Sequence, residues 1–208
     1  VDADLMRDQA LTVIADMPVH AFKIGLVSAI EGIEAIHAVV SEHPEIPVVV
    51  DPVFAAGGGF EFSATDIREV LRSLLVPLST VLTPNLFELT RLVPNSDSAE
   101  CAVTELLSTG CQYVLVTGTH DETEAVENRL YSADGKVSNQ TWPRLNGSSH
   151  GSGCTLAAAI AGYLSLGIGV KDAVRQGQDF TWQSLKHSFS TGSGQSIPDR
   201  ACWNRREQ

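Results

Sequence analysis

The residues best placed to do chemistry stand in Asn146-Gly147-Ser148-Ser149-His150-Gly151-Ser152-Gly153-Cys154-Thr155, which runs into the small-residue stretch Leu156 to Tyr163. That stretch is alanine-rich and unbroken except at Gly162, and it predicts a helix from about Cys154 to Tyr163. Gly151 and Gly153 let the preceding backbone bend sharply, so several amide N–H groups converge at the helix start. With the helix dipole they make a site for an anion, typically a phosphate. Cys154 falls in the first turn, where a thiol is most easily deprotonated. A plainer alternative is a glycine-rich loop capping a core helix, with Cys154 as a small buried hydrophobe.

Several other chemistries are excluded. The chain has no G-x-x-x-x-G-K-[ST] phosphate loop and no strand directly before the first glycine of a dinucleotide turn. The six histidines form no H-x-x-x-H or H-E-x-x-H pattern, and no G-x-S-x-G elbow occurs, which argues against a zinc site and a hydrolase triad. Cys101, Cys111, Cys154 and Cys202 are scattered without metal-ligand spacing, as in a reduced, cytoplasmic protein.

The elements that must position these residues alternate. Helical periodicity over residues 2–15 carries Leu5, Met6, Ala10, Leu11, Ile14 and Ala15 on its apolar positions, and Pro18 ends it. Ala21 to Leu26 reads as a strand and Ile30 to Ser41 as a helix. Ile46 to Val53 is a β-branched strand ending in Asp51, and Thr65 to Leu75 a helix with Thr65 as N-cap. Thr80 to Pro84 is a short strand running into a helix at Asn85. Ser98 to Thr109 is a helix with Gly110 as C-cap, and Tyr113 to Gly118 is a strand. Leu130–Ser132 and Val137–Gln140 suggest a hairpin turning at Asp134-Gly135. A last helix covers roughly Val170 to Phe189, and the tail is irregular. Strand and helix in alternation predict an α/β domain over residues 1–208, a mainly parallel central sheet with helices on both faces.

The totals fit that class. The chain has 208 residues, 43% hydrophobic and 19% charged, which suits one globular domain. Its formal charge of −11 argues against nucleic acid or an anionic membrane as partner. No segment approaches a membrane span of about 20 apolar residues.

Ligands of such sheets bind at the carboxyl ends of the strands. Three ends carry suitable residues: Asp51, then Asn85 and Glu88, then Thr117-Gly118. Two carboxylates facing phosphates across a hydrated Mg²⁺ would be a reasonable use of them. Each also has a simpler use: Asp51 as the start of a turn before Pro52, Glu88 as a solvated residue complementing a helix dipole.

In order along the chain, Phe22-Lys23-Ile24-Gly25-Leu26, Val50-Asp51-Pro52-Val53, Thr83-Pro84-Asn85-Leu86-Phe87-Glu88, Val114 to His120 and His150 to Leu156 resemble the motifs of the hydroxymethylpyrimidine/phosphomethylpyrimidine kinases of thiamine biosynthesis. Gly192-Ser193-Gly194 is similar to a Gly-x-Gly segment near that family's end. The resemblance implies a ribokinase-like three-layer fold and ATP-dependent phosphorylation of a hydroxymethylpyrimidine and then of its monophosphate. It implies an anion hole at Gly151, Ser152, Gly153 and Cys154, with Cys154 as catalytic base. Asn85 and Glu88 would organise Mg²⁺ and phosphate, with Asp51 beside them through water. Thr117 and Gly118 would lie on the nucleotide side, and Val53, Gly25 and Leu26 beside the pyrimidine. It further implies a cytoplasmic enzyme acting as a homodimer. The family's opening strand and Gly-rich segment have no counterpart ahead of the first helix, so one wall of the substrate pocket is expected to be missing. Leu26 stands where the family usually has Met. A pyridoxal kinase and a ligand-binding pseudo-kinase are the alternatives.

Overall fold

The computed structural model describes residues 2–54, 65–118, 124–147 and 149–202. Thr119, His120 and Ser148, named above, lie outside the described residues.

Among the described residues six strands form one sheet in sequence order: β1 (Phe22–Ile24), β2 (Val48–Val50), β3 (Val81–Leu82), β4 (Tyr113–Thr117), β5 (Ala125–Ser132) and β6 (Gly135–Pro143). The first four are parallel, and β5 and β6 add an antiparallel hairpin. Parallel strands laid down in order, with crossovers of one hand, put their connecting helices on one face. Accordingly α1 (Ala3–Asp16), α2 (Ile30–Ser41), α3 (Thr65–Leu74), α4 (Leu86–Leu92) and α5 (Ala99–Ser108) contact one another in series. After the hairpin the chain crosses to the other face. There α6 (Ser152–Ser165) packs on β1, β2 and α7 (Val170–Lys186).

Strand periodicity divides the core. Val48, Val50, Leu82, Val114 and Val116 face the α1–α5 layer with Ile33, Leu75, Leu89 and Leu106. Their neighbours Val49, Val81, Leu115 and Leu130 point oppositely, into Leu156, Ala157, Ile160 and Val174 of α6 and α7. Because successive strand side chains alternate faces, a run such as Val48-Val49-Val50 serves both cores at once. Each fully buried Leu or Val contributes about 1.5–3 kcal/mol.

The helix expected over residues 2–15 forms as α1, with none of its residues fully buried and Leu5, Leu11, Val13 and Met17 exposed. Some local expectations need correction. β1 stops at Ile24, leaving Gly25 and Leu26 in the following loop, with Leu26 exposed. Thr65 is the first residue of α3 rather than its cap. Thr109 occupies the C-cap of α5, and Gly110 follows it at φ +119°. The hairpin is longer than its apolar residues suggest and turns at Ala133-Asp134, since Ser132 already pairs with Gly135. Its polar outer residues carry no alternation strong enough to read from sequence. The last helix ends at Lys186, three residues early.

Candidate active site at the carboxyl edge of the sheet

The three strand ends and the α6 N-terminus do come together. Gly151 caps α6 at φ +85°, a left-handed conformation that glycine adopts without strain. A side-chain carbon built on Gly153 would stand 3.8 Å from Asp51 Oδ1, so the first turn of α6 lies against the carboxylate that ends β2. This follows from topology: only a helix returning across the far face can bring its start over β2.

Asp51 is buried, and Lys23 Nζ lies 3.4 Å from its Oδ2. Lys23 lies in the first of the sequence motifs, where nothing local marks a partner for it. Its neighbour Gly25 supplies the reason that it can reach. A Cβ at Gly25 would stand 2.5 Å from Lys23 Nζ, so the lysine folds back through the space a side chain would fill. Burial holds the Asp51 pKa above the usual carboxylate value, while the Lys23 charge and a hydrogen bond from the Cys154 thiol pull it down.

Cys154 is exposed, not the buried hydrophobe of the plainer reading. Its thiol is also harder to ionise than a free cysteine, contrary to the expectation from its place in the helix. Partial desolvation comes first among the causes, then the Asp51 charge and the hydrogen bond to it; Lys23 and Arg200 oppose them. Desolvation and then the neighbouring carboxylate outweigh the helix dipole.

Asn85 and Glu88 form a reciprocal cap on α4. Glu88 N–H donates to Asn85 Oδ1 at 2.9 Å, and Asn85 N–H donates to Glu88 Oε2 at 2.9 Å. The N-x-x-E spacing is a capping-box signature that the sequence reading overlooked. Glu88 is buried rather than solvated. Desolvation pushes its pKa up to about 8, the Asn85 hydrogen bond lowers it, and the Asp51 charge adds to the rise. Two buried carboxylates that feel each other's charge are what a divalent cation relieves. Among the described residues no three His, Cys, Asp or Glu side chains group as direct ligands, so water and phosphate oxygens would complete such a shell.

Thr117 ends β4, and its N–H donates to Pro84 O at 2.9 Å. Gly118 N–H donates to Asn128 Oδ1 at 3.2 Å. Asn128 Nδ2 in turn donates to Gln178 Oε1 at 2.9 Å, and Trp142 Nε1 donates to the same oxygen at 3.3 Å. Gln178 Nε2 also donates to Gln140 Oε1. This buried polar network joins the strand end to the hairpin and α7. Sequence reasoning missed it; the one signal was Gln178 among the small buried positions Ala173, Val174, Gly177, Thr181 and Ser184 of α7. Val53 is half-buried two residues beyond Asp51, with its N–H on Asp51 O at 2.8 Å. Gly25 serves Lys23, and Leu26 offers an exposed apolar side chain on the same edge. Gly192 and Gly194 are exposed and open around their α-carbons.

Kinases of the ribokinase-like class are built on this plan, and the chain has their fold. It belongs to the phosphomethylpyrimidine kinase family, whose description matches residues 1–199, and is thus a phosphotransferase with an alcohol acceptor. The chain is 33% identical over 199 residues to the hydroxymethylpyrimidine/phosphomethylpyrimidine kinase of Streptomyces coelicolor, covering 92% of this chain and 72% of that relative. It is 32% identical over 197 residues to the pyridoxine kinase of Bacillus subtilis, covering 91% and 72%. An ADP complex of Bacillus subtilis pyridoxal kinase superposes with a TM-score of 0.88 at 28% identity, covering 98% of this chain and 79% of that one.

Proposed function

We propose that this chain phosphorylates the hydroxymethyl group of 4-amino-5-hydroxymethyl-2-methylpyrimidine, and then the resulting monophosphate, at the expense of ATP. The observation that carries the reading is the convergence of the α6 N-terminus with Asp51 at a carboxylate-lined strand edge. The substrate oxygen attacks the γ-phosphorus of ATP while the bond to the β–γ bridging oxygen breaks, its electron pair leaving on ADP. The hydroxyl proton passes to Cys154 Sγ as the thiol proton moves to Asp51 Oδ. A thiol that stays protonated at rest and donates to Asp51 suits this relay better than a free thiolate. Amides of Gly151, Ser152, Gly153 and Cys154 receive the charge of the transferring group. Asp51 and Glu88, with Asn85 fixing Glu88, would hold a hydrated Mg²⁺, which supplies neutralisation of phosphate charge. Thr117 and Gly118 border the nucleotide, and Val53, Gly25 and Leu26 the ring of the alcohol.

Pyridoxal is the second candidate substrate, favoured by the pyridoxine kinase relative and the pyridoxal kinase structure. Coupled measurement of ADP release with the pyrimidine alcohol, its monophosphate and pyridoxal tests both. The expected result is a kcat/KM at least tenfold higher for the pyrimidine; preference for pyridoxal overturns the first reading, and no ADP with any of them overturns both.

A further inference from the structure

The chain beyond α7 folds back onto the site. Phe189 and Ile197 exchange two backbone hydrogen bonds, of 3.1 and 2.9 Å. Ser196 O accepts from His150 N–H at 2.9 Å, and Asp199 N–H donates to Ser184 O at 2.9 Å. Residues 196–199 are thereby pinned between the end of α7 and the loop that opens α6. The next residue, Arg200, is delivered to the start of that helix.

Its anchoring is specific. Arg200 Nε donates to Thr155 Oγ1 at 3.0 Å, and that hydroxyl, itself buried, donates to Gly151 O at 2.7 Å. A Cβ at Gly151 would stand 3.2 Å from Arg200 Nη2, so the guanidinium lies directly beside the bend that opens the anion hole. The residue is exposed, and among the described residues it forms no ion pair, in a chain of net charge −11. A guanidinium held through Nε keeps its two terminal nitrogens in a planar fork suited to two oxygens of a phosphoryl group.

We propose that Arg200 is a phosphoryl-binding catalytic residue, its Nη1 and Nη2 donating to the phosphoryl group as it crosses from nucleotide to alcohol above Gly151–Cys154. This deepens the kinase reading and rests on it. The amides supply fixed partial charges, and Arg200 adds a full positive charge beside Gly151. Nothing in the sequence marks it, since it sits in an irregular tail without periodicity.

Arg200→Gln, Arg200→Lys and Thr155→Val test the proposal in two assays. One is steady-state turnover; the other is calorimetric binding of ADP alone and of ADP with aluminium fluoride, a mimic of the transferring group. Arg200→Gln is expected to lower kcat on the order of 10²-fold. It should weaken the ADP–aluminium fluoride complex by a comparable factor while leaving ADP affinity within about twofold. Arg200→Lys should recover part of both losses, and Thr155→Val, which frees the guanidinium without removing its charge, should lose less than Arg200→Gln. A structural role alone would shift the melting temperature and leave the aluminium fluoride selectivity untouched. Wild-type kcat in Arg200→Gln, or equal affinity of both proteins for the fluoride complex, overturns the assignment. If the wild type turns over no alcohol yet Arg200→Gln still loses the fluoride complex, the substrate reading fails and Arg200 stands; if the wild type binds no ADP, both fall.

Discussion

Lys23 Nζ meets Asp51 Oδ2 at 3.4 Å across two neighbouring parallel strands, and it does so only because position 25 carries no side chain. The Lys23 charge opposes the rise that burial imposes on this carboxylate, which also receives the thiol's hydrogen bond. Replacing Lys23 with Met leaves Asp51 buried without its cation, so the Asp51 pKa rises further. The proposed relay needs an ionised Asp51 to take the proton, so on that reading the acidic limb of kcat/KM should move to higher pH. Loss of a partner that is one-quarter exposed should destabilise by about 1–3 kcal/mol. Gly25→Ala, which displaces the ammonium, should move the limb the same way by less. A pH profile unchanged in both variants would separate the ion pair from catalysis.

Cys154 combines exposure with a raised pKa, and the two have opposite effects on reactivity. Alkylation by iodoacetamide should therefore show a pH midpoint above that of a free cysteine, read by mass spectrometry of the Cys154 peptide. Asp51→Asn should bring the midpoint down, since it removes the carboxylate that holds the proton. In turnover, Cys154→Ala and Cys154→Ser should each lose about 10²–10⁴ in kcat with ATP affinity nearly intact, while Cys154→Asp restores part of the rate. Full activity in Cys154→Ala would make the residue packing.

Much of this edge was legible from sequence because strand and helix signals are local. The runs at Val48–Val50 and Tyr113–Thr117 announce buried strands, and the glycines before Cys154 announce the turn into α6. Asp51, Asn85, Glu88 and Thr117 could be placed together because parallel strands put their carboxyl ends on one edge. What could not be read depends on side chains that meet over long sequence separations. Lys23 reaching Asp51, Asn128 meeting Gln178 and Arg200 meeting Thr155 leave no periodicity behind them. The Cys154 pKa could not be read for a related reason: position in a helix is local, but the burial that raises it and the Asp51 carboxylate, 103 residues earlier in the chain, both come from tertiary packing. The helix α1 was legible from its spacing, but amphipathic spacing states which face could be buried, not how fully a partner covers it.

Asn128 is the hinge of the polar network at the end of β4, which the proposed function places beside the nucleotide. Asn128→Ala would strip the Gly118 N–H of its acceptor and Gln178 of a donor in a buried setting. A cost of about 1–3 kcal/mol is expected, or about 2–4 °C in Tm per kcal/mol. With Gly118 loosened, KM for ATP should rise severalfold while kcat at saturation changes little. A large loss of kcat with unchanged KM would instead tie Asn128 to the reacting groups.

Glu88 gives a test in which cap and cation site predict different results. Its pKa is about 8 in the folded chain against 4.5 for the ordinary side chain, so the folded state holds this proton more tightly than the unfolded state. The favourable contribution is then full below about pH 4.5 and is lost as pH rises through 8, where a charge must sit buried beside Asp51. Wild-type protein without nucleotide should therefore lose melting temperature across that window. Glu88→Gln keeps an oxygen to accept the Asn85 N–H and carries no charge, so the cap survives and this part of the pH dependence disappears. The two proteins should melt together near pH 4.5 and diverge by pH 9, with the variant the more stable. If the carboxylate also faces a hydrated Mg²⁺, Mg²⁺ with ADP should raise the wild-type melting temperature at pH 8–9 more than that of the variant. Turnover of Glu88→Gln should then need more Mg²⁺ and reach a lower maximum. An unchanged Mg²⁺ titration with the stability curves as expected would leave Glu88 as a helix cap alone.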